Sequence, residues 1–223
     1  MCVYTLFFSP SSPYTRKIHM LAIECGIDEK MEVVPASPLV ESEARRRLLS
    51  QNPLGKLPTL VTPDGIALYD SRVICECLAA EANWPAFRPG LDIWRAKRTC
   101  ALADGILDCA FSLVMEERRL ESERSTSWQA RWRDNIERSL DALANDVGAL
   151  DAETRLPGAR NTGQTHFDLT TIGTLCVVDY LDFRLLDLDL VPTELRDWRR
   201  QHSERQSVVR TMPSDASPVD AKA

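Results

Sequence analysis

The sequence contains no apolar run near the roughly 18 residues that a membrane-crossing helix requires, and no Cys-x-x-Cys pair. Histidine is scarce. His19, His166 and His202 stand far apart, and none has a ligand-like cysteine or histidine beside it, so no zinc or other metal site is expected. Positive charge is in deficit, with 27 Lys and Arg against 33 Asp and Glu and a net charge of −6. That balance offers no electrostatic footprint for a polyphosphate, which excludes nucleic acid as an expected partner. Glycine and proline, 9 and 13 residues, are spread without a period, so collagen-like and wholly disordered chains are excluded. No internal repeat occurs, and the only biased stretch is the short end Pro213–Ala223.

With 44% hydrophobic and 27% charged residues, the composition is that of a soluble globular protein. At roughly 150 residues per domain, the 223 residues make one to two domains. Met1–Phe8 lacks the basic start of a signal peptide, and its apolar run is broken by Thr5 and ended by Ser9-Pro10. It reads as a strand, and the expected location is the cytoplasm. The cysteines at 2, 25, 75, 77, 100, 109 and 176 fall mostly inside apolar helical patterns. They read as free thiols used as small hydrophobes.

Val3–Phe8 is β-branched and aromatic and stops at Ser9-Pro10. Ser12 before Pro13 is an N-cap followed by proline at the first helical position, and Ile18, Leu21, Ala22 and Cys25 give the buried helical face that Gly26 closes. Met31–Val34 reads as a second strand, and a polar helix follows over about Glu41–Ser50. Thr59–Thr62 and Ile66–Tyr69 flank the turn Pro63-Asp64-Gly65, and Asp70-Ser71 starts another helix. Beyond Trp84-Pro85 nothing alternates like a strand. Helical faces run through Leu102–Leu113 and Trp128–Leu150, Arg155–Gln164 is a polar loop, Asp168 caps a third helix and Thr193 opens a fourth.

Three places carry residue types that structure alone does not fully demand. Ser11-Ser12-Pro13-Tyr14-Thr15 puts hydroxyls beside the free N–H groups of a helix start, where an anion is stabilised; plain N-capping explains them equally. Asn52-Pro53-Leu54-Gly55-Lys56-Leu57-Pro58-Thr59 sets a proline before a strand, as an ordinary turn or as a cis proline whose preceding backbone faces a ligand. Asp70-Ser71 is again a hydroxyl at a helix start, for capping or for binding.

All three occur in one order within a βαβαββα pattern followed by an all-helical half. Ser12–Lys17, Asn52–Leu60 and Leu68–Leu78, with Ala101–Asp108 and Tyr180–Arg184, resemble the cytosolic glutathione transferase superfamily, in a bacterial branch with serine at the active-site position. The resemblance implies an α/β thioredoxin-like N-terminal domain at 1–83, a linker at 84–90, an all-helical C-terminal domain at 91–213 and a tail at 214–223. It also implies a glutathione transferase that activates glutathione, its co-substrate, as a thiolate for a small hydrophobic electrophile in detoxification.

By the same resemblance, Ser71 takes the γ-glutamyl carboxylate and Asp70 lies near the γ-glutamyl ammonium. Leu57, before a cis Pro58, pairs through its backbone with the cysteinyl part, and Lys56 lies by the glycyl end. Ser12 stands where related sequences carry a cysteine, so a hydroxyl would donate to the sulfur; Ser11 is the runner-up. Tyr14, Asp104, Asp108, Phe111 and Met115 are candidates for the electrophile pocket, and a homodimer is expected. Where the superfamily commonly has a capping box, this chain has Asp168-Leu169-Thr170-Thr171, a good cap with a poorer reciprocal partner. Glutathione-dependent disulfide or peroxide reduction, isomerisation, and non-catalytic glutathione binding remain the alternatives.

Overall fold

The computed structural model describes residues 3–88, 90–153, 167–184 and 190–215. The chain groups into two units, Met1–Ala86 with Glu204–Ala223, and Phe87–Ser203. The first has the thioredoxin-like arrangement expected from the sequence and the second is helical.

In the first unit, β1 (Tyr4–Phe8) buries both Leu6 and Phe7 completely or nearly so. Successive strand side chains point to opposite faces, so this strand is covered on both sides. α1 (Pro13–Cys25) starts at Ser12, whose extended backbone and side-chain oxygen cap it, and ends at Gly26. There φ is +66°, and the glycine N–H returns to the carbonyls of Ala22 and Ile23. β2 (Met31–Pro35) lies parallel to β1, with Leu6 opposite Val33. α2 (Glu43–Gln51) begins two residues after the expected Glu41, because the capping hydroxyl is that of Ser42, which accepts from Arg45 N at 3.1 Å.

β3 (Thr59–Val61) runs antiparallel to β1, and β4 (Ala67–Leu68) antiparallel to β3, which gives the sheet order β2-β1-β3-β4. β4 is shorter than the expected Ile66–Tyr69. Ile66 belongs to the turn instead: its N–H donates to Thr62 Oγ1 at 3.0 Å and its carbonyl accepts from Thr62 N at 2.9 Å. α3 (Ser71–Glu81) is capped by Asp70 and packs against α1. Phe7, Val34, Ala36 and Leu48 form a core cluster that α2 closes, with Ala44, Leu57 and Val61 against it. Each such large apolar side chain contributes about 1.5–3 kcal/mol by leaving water.

The second unit contains α4 (Ile93–Glu117), α5 (Thr126–Glu153), α6 (Leu169–Arg184) and α7 (Thr193–Arg200). Leu169–Leu181 of α6 is buried on every side, as befits the central helix of a bundle. Asp168 does more than cap it. Its Oδ1 accepts from Thr170 N at 3.0 Å and Thr171 N at 3.1 Å, and from both threonine hydroxyls. Its Oδ2 accepts from Arg88 Nε at 2.9 Å, and the buried guanidinium also reaches Asp151 at 3.1 Å. Thr171 thus donates its hydroxyl to the capping carboxylate, where the third-position acid of a capping box would accept from the N-cap N–H. The expected loop Arg155–Gln164 and the tail beyond Asp215 lie outside the described residues.

The sequence expectation carries the helical domain to residue 213, whereas the chain from Glu204 groups with the first unit. α8 (Gln206–Val209) packs on α1, Val208 is fully buried, and Arg205 holds Glu24 through Nε at 2.8 Å and Nη2 at 2.5 Å. No helix among the described residues is long and apolar enough to cross a membrane.

Candidate functional site

Strand direction brings the three sequence motifs to one end of the sheet. β1 leaves the sheet at Phe8 and passes through Ser9–Ser12 into α1. β3 is antiparallel to it, with Thr59 opposite Phe7, so the segment Lys56–Pro58 enters β3 at that same end. β4 runs back along β3, with Leu68 opposite Leu60, and its exit through Tyr69–Ser71 into α3 lies there too. Neighbouring strands are about 4.8 Å apart, so β1 to β4 spans roughly 10 Å, the length of about three residues of extended peptide. Two helices also present their N-terminal, partially positive ends at this place.

The serine loop is fixed mainly through its backbone. Ser12 N donates to Ser9 O at 3.1 Å, while Thr15 Oγ1 donates to Ser9 O at 2.7 Å and to Ser12 O at 3.0 Å. Ser12 Oγ accepts from Thr15 N at 3.4 Å, and its own proton has no acceptor among the described residues. Ser11 Oγ instead lies 3.3 Å from Ser9 Oγ, where the two hydroxyls share one hydrogen bond. Either hydroxyl can be the donor in that pair, so the Ser11 proton is committed only where Ser11 donates to Ser9. Tyr14 follows, half-buried, with Lys17 Nζ 5.9 Å from its ring centroid.

Leu57 packs its side chain against the Phe7–Leu48 cluster, and its bond to Pro58 is cis, as the resemblance implies. Neither its N–H nor its C=O is engaged among the described residues, which leaves both available to a ligand. Asn52 holds this loop from beneath. Fully buried, it accepts from Leu54 N at 2.9 Å and donates to Lys56 O at 3.2 Å and to Thr59 Oγ1 at 2.9 Å. Thr59 Oγ1 donates in turn to Lys56 O at 2.9 Å. Lys56 is thus anchored by its carbonyl while its side chain is exposed and meets no carboxylate among the described residues. Gly55, at φ +59°, makes the reversal, and a Cβ there would come within 2.9 Å of Leu49.

Asp70 caps α3 by accepting from Arg72 N at 3.0 Å and is otherwise exposed. Ser71, the first residue of the helix, is buried at 4% exposure, and neither its hydroxyl nor its N–H takes a partner among the described residues. A carboxylate placed there would gain two donors and the helix dipole together.

The second unit carries the remaining candidates on one face of α4, since 104, 108, 111 and 115 step by four, three and four residues. Asp104 is buried, Met115 half-buried, and Asp108 and Phe111 are exposed. The cysteines at 25, 75, 77, 100, 109 and 176 are free thiols. Burial pushes Cys25 up to about 11, with Glu24 adding to it, and burial likewise raises Cys77 and Cys109. Thiols so shifted are poor nucleophiles near neutrality. No group of three or more histidine, cysteine or acidic side chains that could hold a metal occurs among the described residues.

Sequence reasoning missed the supporting roles of Asn52, Thr15 and Thr59. An Asx residue seven positions ahead of a strand's first residue, with threonine at that first position, was the available signal for the first and last.

Residues 11–81 match the family described as "Glutathione S-transferase, N-terminal domain". The uncharacterized GST-like protein YibF of Escherichia coli K12 is 34% identical over 180 residues, which cover 79% of this chain and 81% of that protein. A glutathione transferase family member from Pseudomonas fluorescens Pf-5, solved with bound glutathione, superposes with a TM-score of 0.80 at 32% identity, covering 95% of this chain and 99% of the other. A glutathione S-transferase from Methylobacillus flagellatus KT, solved with glutathione bound, gives a TM-score of 0.78 at 31% identity, covering 95% and 100%.

Proposed function

This chain belongs to the glutathione S-transferase superfamily, and from that premise we propose that it binds glutathione along the sheet end just described and activates the sulfur for transfer to a small electrophile. The observation that carries the reading is the convergence there of a free Leu57 backbone, an unpartnered Ser71 hydroxyl and N–H, and an uncommitted Ser12 proton. Ser71 receives the γ-glutamyl carboxylate, Asp70 attracts the ammonium beside it, and Leu57 pairs with the cysteinyl backbone as an added strand. Lys56 is close to the glycyl carboxylate.

Placed opposite the α1 start, the thiol loses its proton to solvent, and Ser12 Oγ–H donates to the thiolate formed. A hydrogen bond to a charged acceptor is worth about 1.5–3 kcal/mol, or roughly one to two pKa units off a free value of about 8.5. The thiolate then attacks the electrophile: a C–S bond forms, and the electron pair leaves with the departing group or adds to the acceptor. The raised thiols of Cys25, Cys77 and Cys109 support glutathione as the nucleophile. Phe111 and Met115 of α4 are the apolar candidates in favour of a hydrophobic electrophile, while Asp104 and Asp108 on the same helix face are carboxylates. Trp94, 76% exposed near the start of α4, supports a homodimer, for which light scattering is the measurement.

Calorimetric titration with reduced glutathione, wild type against Ser71→Ala, tests the binding. The expected loss is about 1–3 kcal/mol, the cost of removing one donor from a carboxylate; unchanged affinity overturns it. A pH titration of thiolate absorbance in the complex assigns the sulfur donor. Ser12→Ala should raise the thiol pKa while leaving affinity for the peptide nearly unchanged, and a rise in Ser11→Ala instead would transfer the role. Turnover of a panel of electrophiles separates transfer from reduction. Tight binding without turnover would make this a binding protein.

A further inference from the structure

The segment after α7 runs beside α1 and ends against the serine loop. Its first anchor is Glu24, which accepts from Arg205 Nε and Nη2 and from Ser207 Oγ at 2.5 Å. Its second is Asp28, which pairs with Arg210 Nη2 at 3.0 Å. Arg16, one turn into α1 and only 3% exposed, then directs Nε to Thr211 Oγ1 at 3.3 Å and Nη2 to Met212 Sδ at 3.7 Å. Thr211 Oγ1 in turn donates to Ser207 O at 2.7 Å. Past Pro213, the N–H of Ser214 donates to the carbonyl of Pro10 at 3.3 Å. Among the backbone hydrogen bonds of the described residues, this is the contact made by the Pro10 carbonyl, one residue ahead of Ser11 and two ahead of Ser12.

We infer that residues 205–214 are a positioning element for the serine loop, with the Ser214 N–H as the group that fixes the Pro10–Ser11 peptide and so aims the Ser12 hydroxyl. This rests on the proposal that Ser12 donates to a glutathione thiolate. The Ser12 N–H bond to Ser9 O closes a turn around the Pro10–Ser11 peptide, and the Ser214 N–H is the partner that the carbonyl of that same peptide takes among the described residues. A hydrogen bond between hydroxyl and thiolate weakens steeply with misalignment. Fixing that peptide therefore bears on the ionised sulfur and hardly on the carboxylate site at Ser71 or the strand pairing at Leu57.

The separating test is chemical. Ser214→Pro removes the N–H, whereas Ser214→Ala keeps it. In full-length protein, Ser214→Pro should raise the pH midpoint of bound-thiolate absorbance by about one unit, a tenfold loss of thiolate below that midpoint. Glutathione affinity at pH 5.5, where the thiol is neutral, should stay within twofold (roughly 0.4 kcal/mol). Ser214→Ala should titrate as wild type. Amide hydrogen exchange at residues 11–15 should quicken in Ser214→Pro and not in Ser214→Ala, a readout that holds whatever the chemistry proves to be. Thr211→Val, which takes the hydroxyl from Arg16 Nε, should give a smaller shift in the same direction and serves if Ser214→Pro does not fold. A Ser214→Pro protein with wild-type titration and exchange overturns the inference. A wild type that leaves the bound thiol at its free pKa overturns the proposed function, and the exchange experiment still decides the positioning.

Discussion

Replacing Asn52 by alanine removes three hydrogen bonds at once from a fully buried site: to Leu54 N, from Nδ2 to Lys56 O, and from Nδ2 to Thr59 Oγ1. Taken singly, such bonds contribute about 0.5–1.5 kcal/mol each. They share one network, and Lys56 O keeps its bond from Thr59 Oγ1 at 2.9 Å, so the losses do not simply add. A total of about 2–3 kcal/mol is expected, which lowers a urea midpoint by about 1 M. The functional consequence follows from the backbone. No side-chain substitution deletes the N–H and C=O of Leu57, but Asn52 sets where they point. Glutathione affinity, measured by calorimetry on protein that is still folded, should fall about five- to thirtyfold, or roughly 1–2 kcal/mol. Asn52→Asp sharpens the argument because it keeps the acceptor for Leu54 and sets a second acceptor against the Lys56 carbonyl. It should be the worse variant at pH 7. Burial raises the folded pKa of that carboxyl above its unfolded value, so its relative stability is best below about pH 4 and is lost as pH rises through the folded pKa. Folded Asn52→Ala with unchanged glutathione affinity would refute the claim that this loop presents Leu57 to the peptide. Asn52→Asp as stable as wild type at pH 7 would refute the direction of the amide bonds.

Asp168→Ala should cost about 3–5 kcal/mol in chemical denaturation, because it strips a cap and leaves the buried Arg88 with Asp151 and the Leu150 carbonyl; Asp168→Asn, which keeps the acceptor for the cap, should recover part. Cys25, pushed up to about 11, should resist alkylation in the folded protein at pH 8, with rapid labelling seen by intact mass refuting it. A thiol raised on folding stabilises the fold below its unfolded pKa and loses that contribution as pH climbs through about 11, so urea midpoints should fall at the alkaline end. Burial lowers His19, with Arg210 adding to it and Asp28 opposing. Its contribution is therefore present above the unfolded value of about 6.5 and is lost as pH falls through the lower folded pKa; His19→Gln should flatten the acid limb.

Local chemistry made the elements legible. Ser12-Pro13 and Gly26 bracket α1 because a capping oxygen, a fixed φ and a left-handed turn are properties of single residues. Asp168 was readable as a cap for the same reason, and so was the turn Pro63-Asp64-Gly65, while at Asp70-Ser71 the carboxylate rather than the hydroxyl is the cap. Boundaries shifted where two adjacent residues compete for one role, as at Glu41 and Ser42 or at Ile66. The three motifs were visible as unusual residues, yet their meeting at one sheet end is a consequence of strand direction, since Phe7 faces Thr59 and Leu60 faces Leu68. The hydroxyls of Ser11 and Ser12 take partners only two and three residues away, Ser9 Oγ and Thr15 N. Only tertiary structure brought Ser207–Ser214 to α1 and to Pro10. Those contacts join residues about 180 to 200 positions apart, and no local propensity or periodicity encodes a pairing at that separation. The sequence by itself determined which residues cap, turn and bury; strand direction and long-range packing decided which of them face one another.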